Sequence, residues 1–214
     1  MKYLTFLIGL FSLVLLCGCG ASSDNEQILD FSIIPLAAGN KWIYETTYYD
    51  STGIVLATRT DSSFVGLTRV VNGKTWYYYI NQGTLTPEDA FLFRNDSLGL
   101  WQFNEDLRIE SFTLKYPATA GEIYNLTDDS SFTATRMLVV STTEAVSTHK
   151  GVFICYRYKP IQREPTNTEN EVYAAPSVGI IKETETNVVF TTEQSPDPIF
   201  GVTKVRLLKD YHLK

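Results

Sequence analysis

The chain has 214 residues and a formal charge of −6. An acidic sequence with no basic stripe argues against nucleic acid as a partner and offers no electrostatic pull toward anionic lipid. Thirteen Tyr, twelve Phe and three Trp can supply the core of one domain, and the length falls short of two comfortable ones.

Lys2 gives a short positive start, and Leu4 to Leu16 is an almost wholly apolar run of thirteen residues. A spanning helix needs roughly 20, so the run reads as a secretory h-region rather than a transmembrane segment. Leu16-Cys17-Gly18-Cys19 follows at once. This resembles the lipobox of bacterial lipoproteins, which places an aliphatic residue three before the cysteine and a small residue just before it. Cys17 fits less well, because Leu16 then occupies the small position. The resemblance implies cleavage after Gly18, diacylglycerol on the Cys19 thiol and acylation of the new amino terminus. The membrane is then a partner through Cys19, and several chains anchor stably at roughly 0.8 kcal/mol per buried methylene. Gly20, rather than Asp, resembles the outer-membrane sorting pattern of enteric bacteria. Ser23-Asp24-Asn25-Glu26 loosely resembles the acidic export signal of Bacteroidetes surface lipoproteins. Residues 1–18 are thus expected as a cleaved signal, 19–33 as a lipidated tether, and 34–214 as one domain. Loss of Lys2 takes the charge to −7. Cys155 is then the one free thiol, so no internal disulfide is expected.

From Ile34 onward, short runs of Val, Ile, Thr, Tyr and Phe alternate with turn residues, the signature of strands. Trp42-Ile43-Tyr44 opens a strand that reaches Asp50-Ser51-Thr52-Gly53, and Ile54 to Thr60 runs back. Phe64–Val71 and Lys74–Ile80 flank Asn72-Gly73, whose tolerance of positive φ predicts a type I′ hairpin. Thr86-Pro87-Glu88-Asp89 is expected to cap one helical turn. Asp96-Ser97-Leu98-Gly99 turns between Phe91–Arg94 and Leu100–Phe103. Asp128-Asp129-Ser130-Ser131 separates Ile123–Leu126 from a strand near Phe132–Thr143. His149-Lys150-Gly151 precedes Val152–Tyr158, and strands at Glu171–Ala174, Ile180–Phe190 and Val202–Leu208 bring the count to about a dozen. The expected class is all-β: one antiparallel domain, a sandwich or a strongly curved half-barrel-like sheet. Pro35…Gly39…Trp42…Tyr44 is echoed 82 residues later by Pro117…Gly121…Tyr124. Two similar β-halves or one turn used twice would each produce the echo, the second being slightly favoured.

Pro35-Leu36…Gly39…Trp42…Tyr44, then Gly151-Val152-Phe153-Ile154-Cys155-Tyr156, then Tyr173-Ala174-Ala175-Pro176-Ser177-Val178-Gly179…Lys182 stand in that order. Together these motifs resemble a broad group of uncharacterised bacterial lipoproteins, with Ser177 in place of the usual Gly. The resemblance implies an extracytoplasmic β domain and no particular activity. Some members suggest a curved sheet like the half-barrel lipoprotein carriers, so lipid carriage enters by analogy.

No constellation of catalytic residues stands out, and no cofactor or metal is expected. His149 and His212 are isolated, without zinc-type spacing, and read as solvated loop residues. Cys155 shares a strand face with Phe153 and Arg157 and reads as a small buried hydrophobe rather than a nucleophile. Asp128 and Asp129 are adjacent and suit backbone capping better than paired acid/base chemistry. Neither a Gly-x-Ser-x-Gly elbow nor a phosphate-binding glycine loop occurs.

Trp76-Tyr77-Tyr78-Tyr79-Ile80 carries large groups on both faces of one strand. Trp76, Tyr77 and Tyr79 are therefore the candidate ligand-binding residues, for a carbohydrate, a hydrophobic ligand or an envelope protein. The expected role is a non-enzymatic binding or structural module of the outer membrane, on its periplasmic face or at the cell surface. A half-barrel carrier of lipid or another hydrophobic molecule is the alternative, and a cell-surface hydrolase a further one.

Overall fold

The computed structural model describes residues 32–82, 89–127, 136–161, 168–189 and 199–214. The lipobox with Cys19, the cap at 86–88 and the Asp128-Asp129 turn lie outside the described residues. Twelve strands form one sheet: β1 (Lys41–Tyr49), β2 (Val55–Val71), β3 (Lys74–Gln82), β4 (Asp89–Asp96), β5 (Gly99–Asn104), β6 (Ile109–Lys115), β7 (Ile123–Asn125), β8 (Arg136–Thr148), β9 (Gly151–Ile161), β10 (Thr168–Ala175), β11 (Gly179–Val189) and β12 (Ile199–His212). The domain is a single antiparallel sheet rather than two packed ones.

Each strand from β1 to β5 pairs with its successor, and so does each from β7 to β11, while β12 pairs with β1. The result is an up-and-down meander curled into a nearly closed barrel. Its seam lies between β6 and β7, the two edge strands, and not between the chain's first and last strands. At the seam the Phe112 amide donates to the Leu126 carbonyl at 2.6 Å. The Tyr124 hydroxyl donates to the Thr113 carbonyl at 3.0 Å and accepts from the Lys115 amide at 3.2 Å.

Two expected strands, Ile54–Thr60 and Phe64–Val71, are one 17-residue strand, β2. The turn-type residues Asp61-Ser62-Ser63 lie inside it, in strand conformation. Its first part pairs with β1 and its last part with β3, the exchange falling at Ser62 to Phe64. β6 was not among the expected strands, because Ile109-Glu110-Ser111-Phe112-Thr113-Leu114 blurs its alternation. At the Asn72-Gly73 turn both residues take positive φ, 51° and 74°, as a type I′ hairpin requires. The far part of this hairpin folds back over β5 and β6. Arg69 forms an ion pair with Glu105, and Lys74 forms one with Glu110 at 2.7 Å. The β8–β9 hairpin does likewise over β12, where Lys150 meets Asp210 at 2.8 Å and the Phe153 and Tyr211 rings lie 6.2 Å apart.

The echo is a structural repeat. Gly39 donates to the Val65 carbonyl at 2.8 Å, and Val65 returns a bond to the Asn40 carbonyl at 2.8 Å. Gly121 and Glu122 make the same pair of bonds with Val139, at 2.8 and 2.9 Å. Both glycines have left-handed φ, 93° and 85°. Each copy opens a six-strand half of the sheet with the same pair of bonds to the half's second strand.

Candidate functional site

Trp42, Tyr44, Val65, Tyr158, Ile181 and Leu208 are fully buried and fill the part of the barrel where β1 begins. The Trp42 indole donates to the Val178 carbonyl at 2.6 Å, which satisfies its polar edge. Farther along the same strands stands a polar cluster around Arg206. Its Nε donates to Asp61 at 2.8 Å, Nη1 to Glu183 at 2.8 Å and Nη2 to Ser63 at 2.8 Å. Thr46 donates to the second Asp61 oxygen at 2.5 Å. Burial works against the charge on Arg206, but Glu183, Tyr44 and Asp61 outweigh it and hold the guanidinium firmly protonated. A network in which each guanidinium nitrogen has a partner ties β2, β11 and β12 to one another.

An open groove of about 500 Å³ lies at the end of the barrel where the N-terminal segment enters, a volume typical of ligand sites. The segment running through Pro35 and Leu36 forms one wall, held by a bond from Asn40 Nδ2 to the Pro35 carbonyl and one from Asn95 Nδ2 to the Ile34 carbonyl, both 2.8 Å. Thr75 and Tyr77 of β3, Arg94 and Asn95 of the adjacent β4, and Lys214 also line it. Lys214 is positioned by its amide, which donates to Asn40 Oδ1 at 2.9 Å.

Arg94 is clamped behind the groove. Its guanidinium lies 5.1 Å from the Trp76 ring and 4.9 Å from the Trp101 ring. Asp96 binds it at 2.6 Å and Glu110 at 3.2 Å. Burial pushes the Glu110 carboxyl up, but Lys74 and Arg94 overcome this and hold it below its ordinary value. Among the described residues, Arg94 Nε and Asn95 Oδ1 have no hydrogen-bond partner.

The three sequence candidates do not share a surface. Trp76 is fully buried against Phe103, centroids 5.5 Å apart, beneath the folded-back hairpin. Tyr79 is 4% exposed inside the barrel, 5.7 Å from Trp42 and 5.3 Å from Phe93. Tyr77, half-buried at the barrel's mouth, is the one that reaches the groove. His149 and His212 are exposed, and Cys155 is buried. Among the described residues no three His, Cys, Asp or Glu side chains stand close enough to share a metal ion. Sequence reasoning missed Arg94, Asn95, Lys214 and Arg206. Parity along β12 puts Arg206 on the face of Leu208, but nothing local announces its partner 145 residues away.

The fold and groove together define a nearly closed, up-and-down antiparallel barrel with an open groove at one end. No protein-family model matches the sequence, and no curated protein matches it. Solved structures do. A Bacteroides fragilis protein described as exported, with a YmcC-like fold, is 14% identical, with a TM-score of 0.45 over 84% of this chain and 98% of that one. A protein from Parabacteroides distasonis described as a lipoprotein is 10% identical, with a TM-score of 0.36 over 85% and 98%. A Vibrio parahaemolyticus domain described as that of an outer-membrane lipoprotein-sorting protein is 11% identical, with a TM-score of 0.22 over 82% and 85%.

Proposed function

We propose that this chain is a lipid-anchored protein of the bacterial outer membrane, held through Cys19, whose barrel is a non-enzymatic binding module. The anchor rests on the lipobox-like Leu16–Cys19 after a thirteen-residue apolar run. The observation that carries the binding role is the open groove beside Tyr77. A hydrophobic cargo inside the barrel would need apolar side chains lining a space. Trp42, Tyr44 and Tyr158 fill that space instead, which favours the groove over the lumen. A hydrolase would need carboxylates free to act on a substrate. Asp61 and Glu183 are both engaged by Arg206, and Asp96 and Glu110 by Arg94.

The test of the anchor is metabolic labelling with radioactive palmitate, in wild type and Cys19→Ala, followed by protease shaving of intact cells. Label in wild type alone supports the reading, and shaving then separates surface display from a periplasmic site. Equal labelling of both proteins, or of neither, overturns it.

A further inference from the structure

We infer that the rim of the barrel nearest the tether docks on the membrane surface, through the outward-turned faces of the two folded-back hairpins; this goes beyond the binding role and rests on the Cys19 anchor. Topology places both hairpins at that rim. β2 and β8 are each the second strand of a six-strand half, and each runs back toward the residues that open its half: Gly39 bonds Val65, and Gly121 bonds Val139. Antiparallel pairing all along the sheet, with β12 beside β1, makes β1 and β7 run in the same direction. The β2–β3 and β8–β9 hairpins therefore leave from one end of the barrel, on opposite sides. The chain that follows Cys19 enters at this same end, where the Ser32 carbonyl accepts from the Ser177 amide at 2.9 Å.

Strand parity says which face each hairpin shows. Tyr79 and Tyr158 point into the barrel, and the period of two carries that side on to Thr75 of β3 and to Ile154 and Val152 of β9. Each hairpin curls outward over the wall, and its other side is covered there, with Trp76 and Cys155 fully buried. The side that faced inward is thereby turned out beyond the rim. It is well exposed: Val70 at 69%, Val152 at 65% and Ile154 at 56%, with Leu67 at 80% in the bulge beside Val65. Opposite Val70, Ile154 and Val152 stand Thr75, Ala145 and Ser147, all exposed. None of these residues is charged, in a chain of which 20% is.

Place and chemistry together select a lipid surface. Two-stranded faces with a few aliphatic groups offer far less than a stable protein complex buries. A surface tied to them by a short tether is met at high effective concentration, and weak contacts then suffice. The thirteen residues from Cys19 to Ser32 span at most about 45 Å, so the rim stays close to the bilayer. Uncharged Val, Ile, Leu and Thr enter the interfacial zone without stripping water from an ion, and Tyr77 beside them is suited to a surface with one wet side. The far end of the barrel also exposes Ile54, Val55 and Leu56. There, however, Asp50 and Arg59 stand on the same hairpin, and the length of β1 sets that end roughly 30 Å from the tether's entry.

The experiment uses the lipidated mature chain in phosphatidylcholine vesicles, with an environment-sensitive dye on Val70→Cys, Val152→Cys or Leu56→Cys. Cys155 is buried and stays unlabelled in the folded chain. Phosphatidylcholine carrying a nitroxide high in its acyl chain is the quencher, and thermal melts check that each variant is folded. Quenching is expected to be several-fold stronger at the Val70 and Val152 positions than at Leu56. Adding Val70→Glu and Ile154→Glu to the Val152→Cys chain should abolish its quenching while the chain still floats with the vesicles through its lipid. Floating protein with no quenching at either hairpin, with equal quenching at Leu56, or with quenching unchanged by the two glutamates overturns the docking rim and leaves the anchor standing. A blue shift without quenching that disappears on dilution assigns the faces to a second copy of the chain and likewise overturns it. Protein that neither takes palmitate nor floats removes the anchor and the docking rim together.

Discussion

The guanidinium of Arg206 lies 3.7 Å from the centroid of the Tyr44 ring, inside the barrel. Arg206 and Asp61 are each only 10% exposed, so their charges depend on each other. Arg206→Ala is expected to cost about 3–5 kcal/mol, because Asp61 is left buried and unpaired. Arg206→Lys should also destabilise, since a point charge cannot bind Asp61, Glu183 and Ser63 together as the planar fork does. Urea denaturation reads both. A loss under about 1 kcal/mol for Arg206→Ala would mean the cluster is hydrated and contributes little.

The contrast between Arg206 and Tyr77 shows where the sequence is informative. All-β character, the Asn72-Gly73 hairpin and the burial of Cys155 follow from local periodicity and turn chemistry. The continuous β2 is hidden because the turn-type residues Asp61-Ser62-Ser63 stand where the strand changes partners. Trp76 was a fair candidate by type, yet a hairpin folding back over the outer face buries it, and that is a tertiary event. The groove needed Asn40, Tyr77, Asn95 and Lys214 from four separate parts of the chain. The Pro–Gly–aromatic echo is legible in the sequence, whereas the matching bonds to Val65 and Val139 join residues far apart in the chain.

Alkaline unfolding should track tyrosine ionisation. Tyr44, Tyr79, Tyr124 and Tyr158 all have hydroxyls held above their ordinary value, first by burial. The native state keeps these protons where the unfolded chain releases them. Stability is therefore whole below about pH 10 and falls as pH rises through the alkaline range. Tyrosinate absorbance is expected in two stages, a gradual one from exposed residues and a cooperative one coinciding with loss of circular dichroism. A single gradual titration with the sheet intact would contradict the burial.

Cys155 should be inert while the barrel is folded. Burial, with help from Glu144, pushes its thiol up to about 12, and none of its surface is exposed. In the mature chain with Cys19 blocked, iodoacetamide at about pH 8 should label it only as fast as the structure opens. Urea that unfolds the chain should raise the rate by orders of magnitude. Rapid labelling in native conditions would show that the β8–β9 hairpin lifts away easily.

Two glycines with positive φ should respond differently to alanine. A Cβ at Gly99 would stand 2.2 Å from the Leu114 carbonyl oxygen and 2.7 Å from the Tyr116 amide, whereas one at Gly53 meets nothing within 4 Å. Gly53→Ala therefore carries only the backbone cost, about 1–2 kcal/mol. Gly99→Ala must also push β5 and β6 apart and should leave little folded protein. Melting temperatures decide it, and equal shifts would mean that β6 yields beside Gly99 without strain.

Closure at the seam depends on Tyr124 far more than closure between β1 and β12 depends on any one side chain. β1 and β12 share nine residue pairs, whereas the seam beside β6 and β7 is held by the Phe112–Leu126 bond, the two made by the Tyr124 hydroxyl and the Lys115–Glu122 ion pair. Tyr124→Phe keeps the ring that packs 5.1 Å from Phe112 but deprives the Thr113 carbonyl and Lys115 amide of their partner. The expected loss is about 1–3 kcal/mol, and its location matters more than its size. Hydrogen exchange should quicken at the Phe112 and Lys115 amides while those shared by β1 and β12 stay protected. If protection falls equally across both junctions, the barrel opens as a whole and the seam is not its weak point. If it falls at β6 and β7 alone, the two six-strand halves are joined firmly on one side and loosely on the other, as their unequal hydrogen bonding requires.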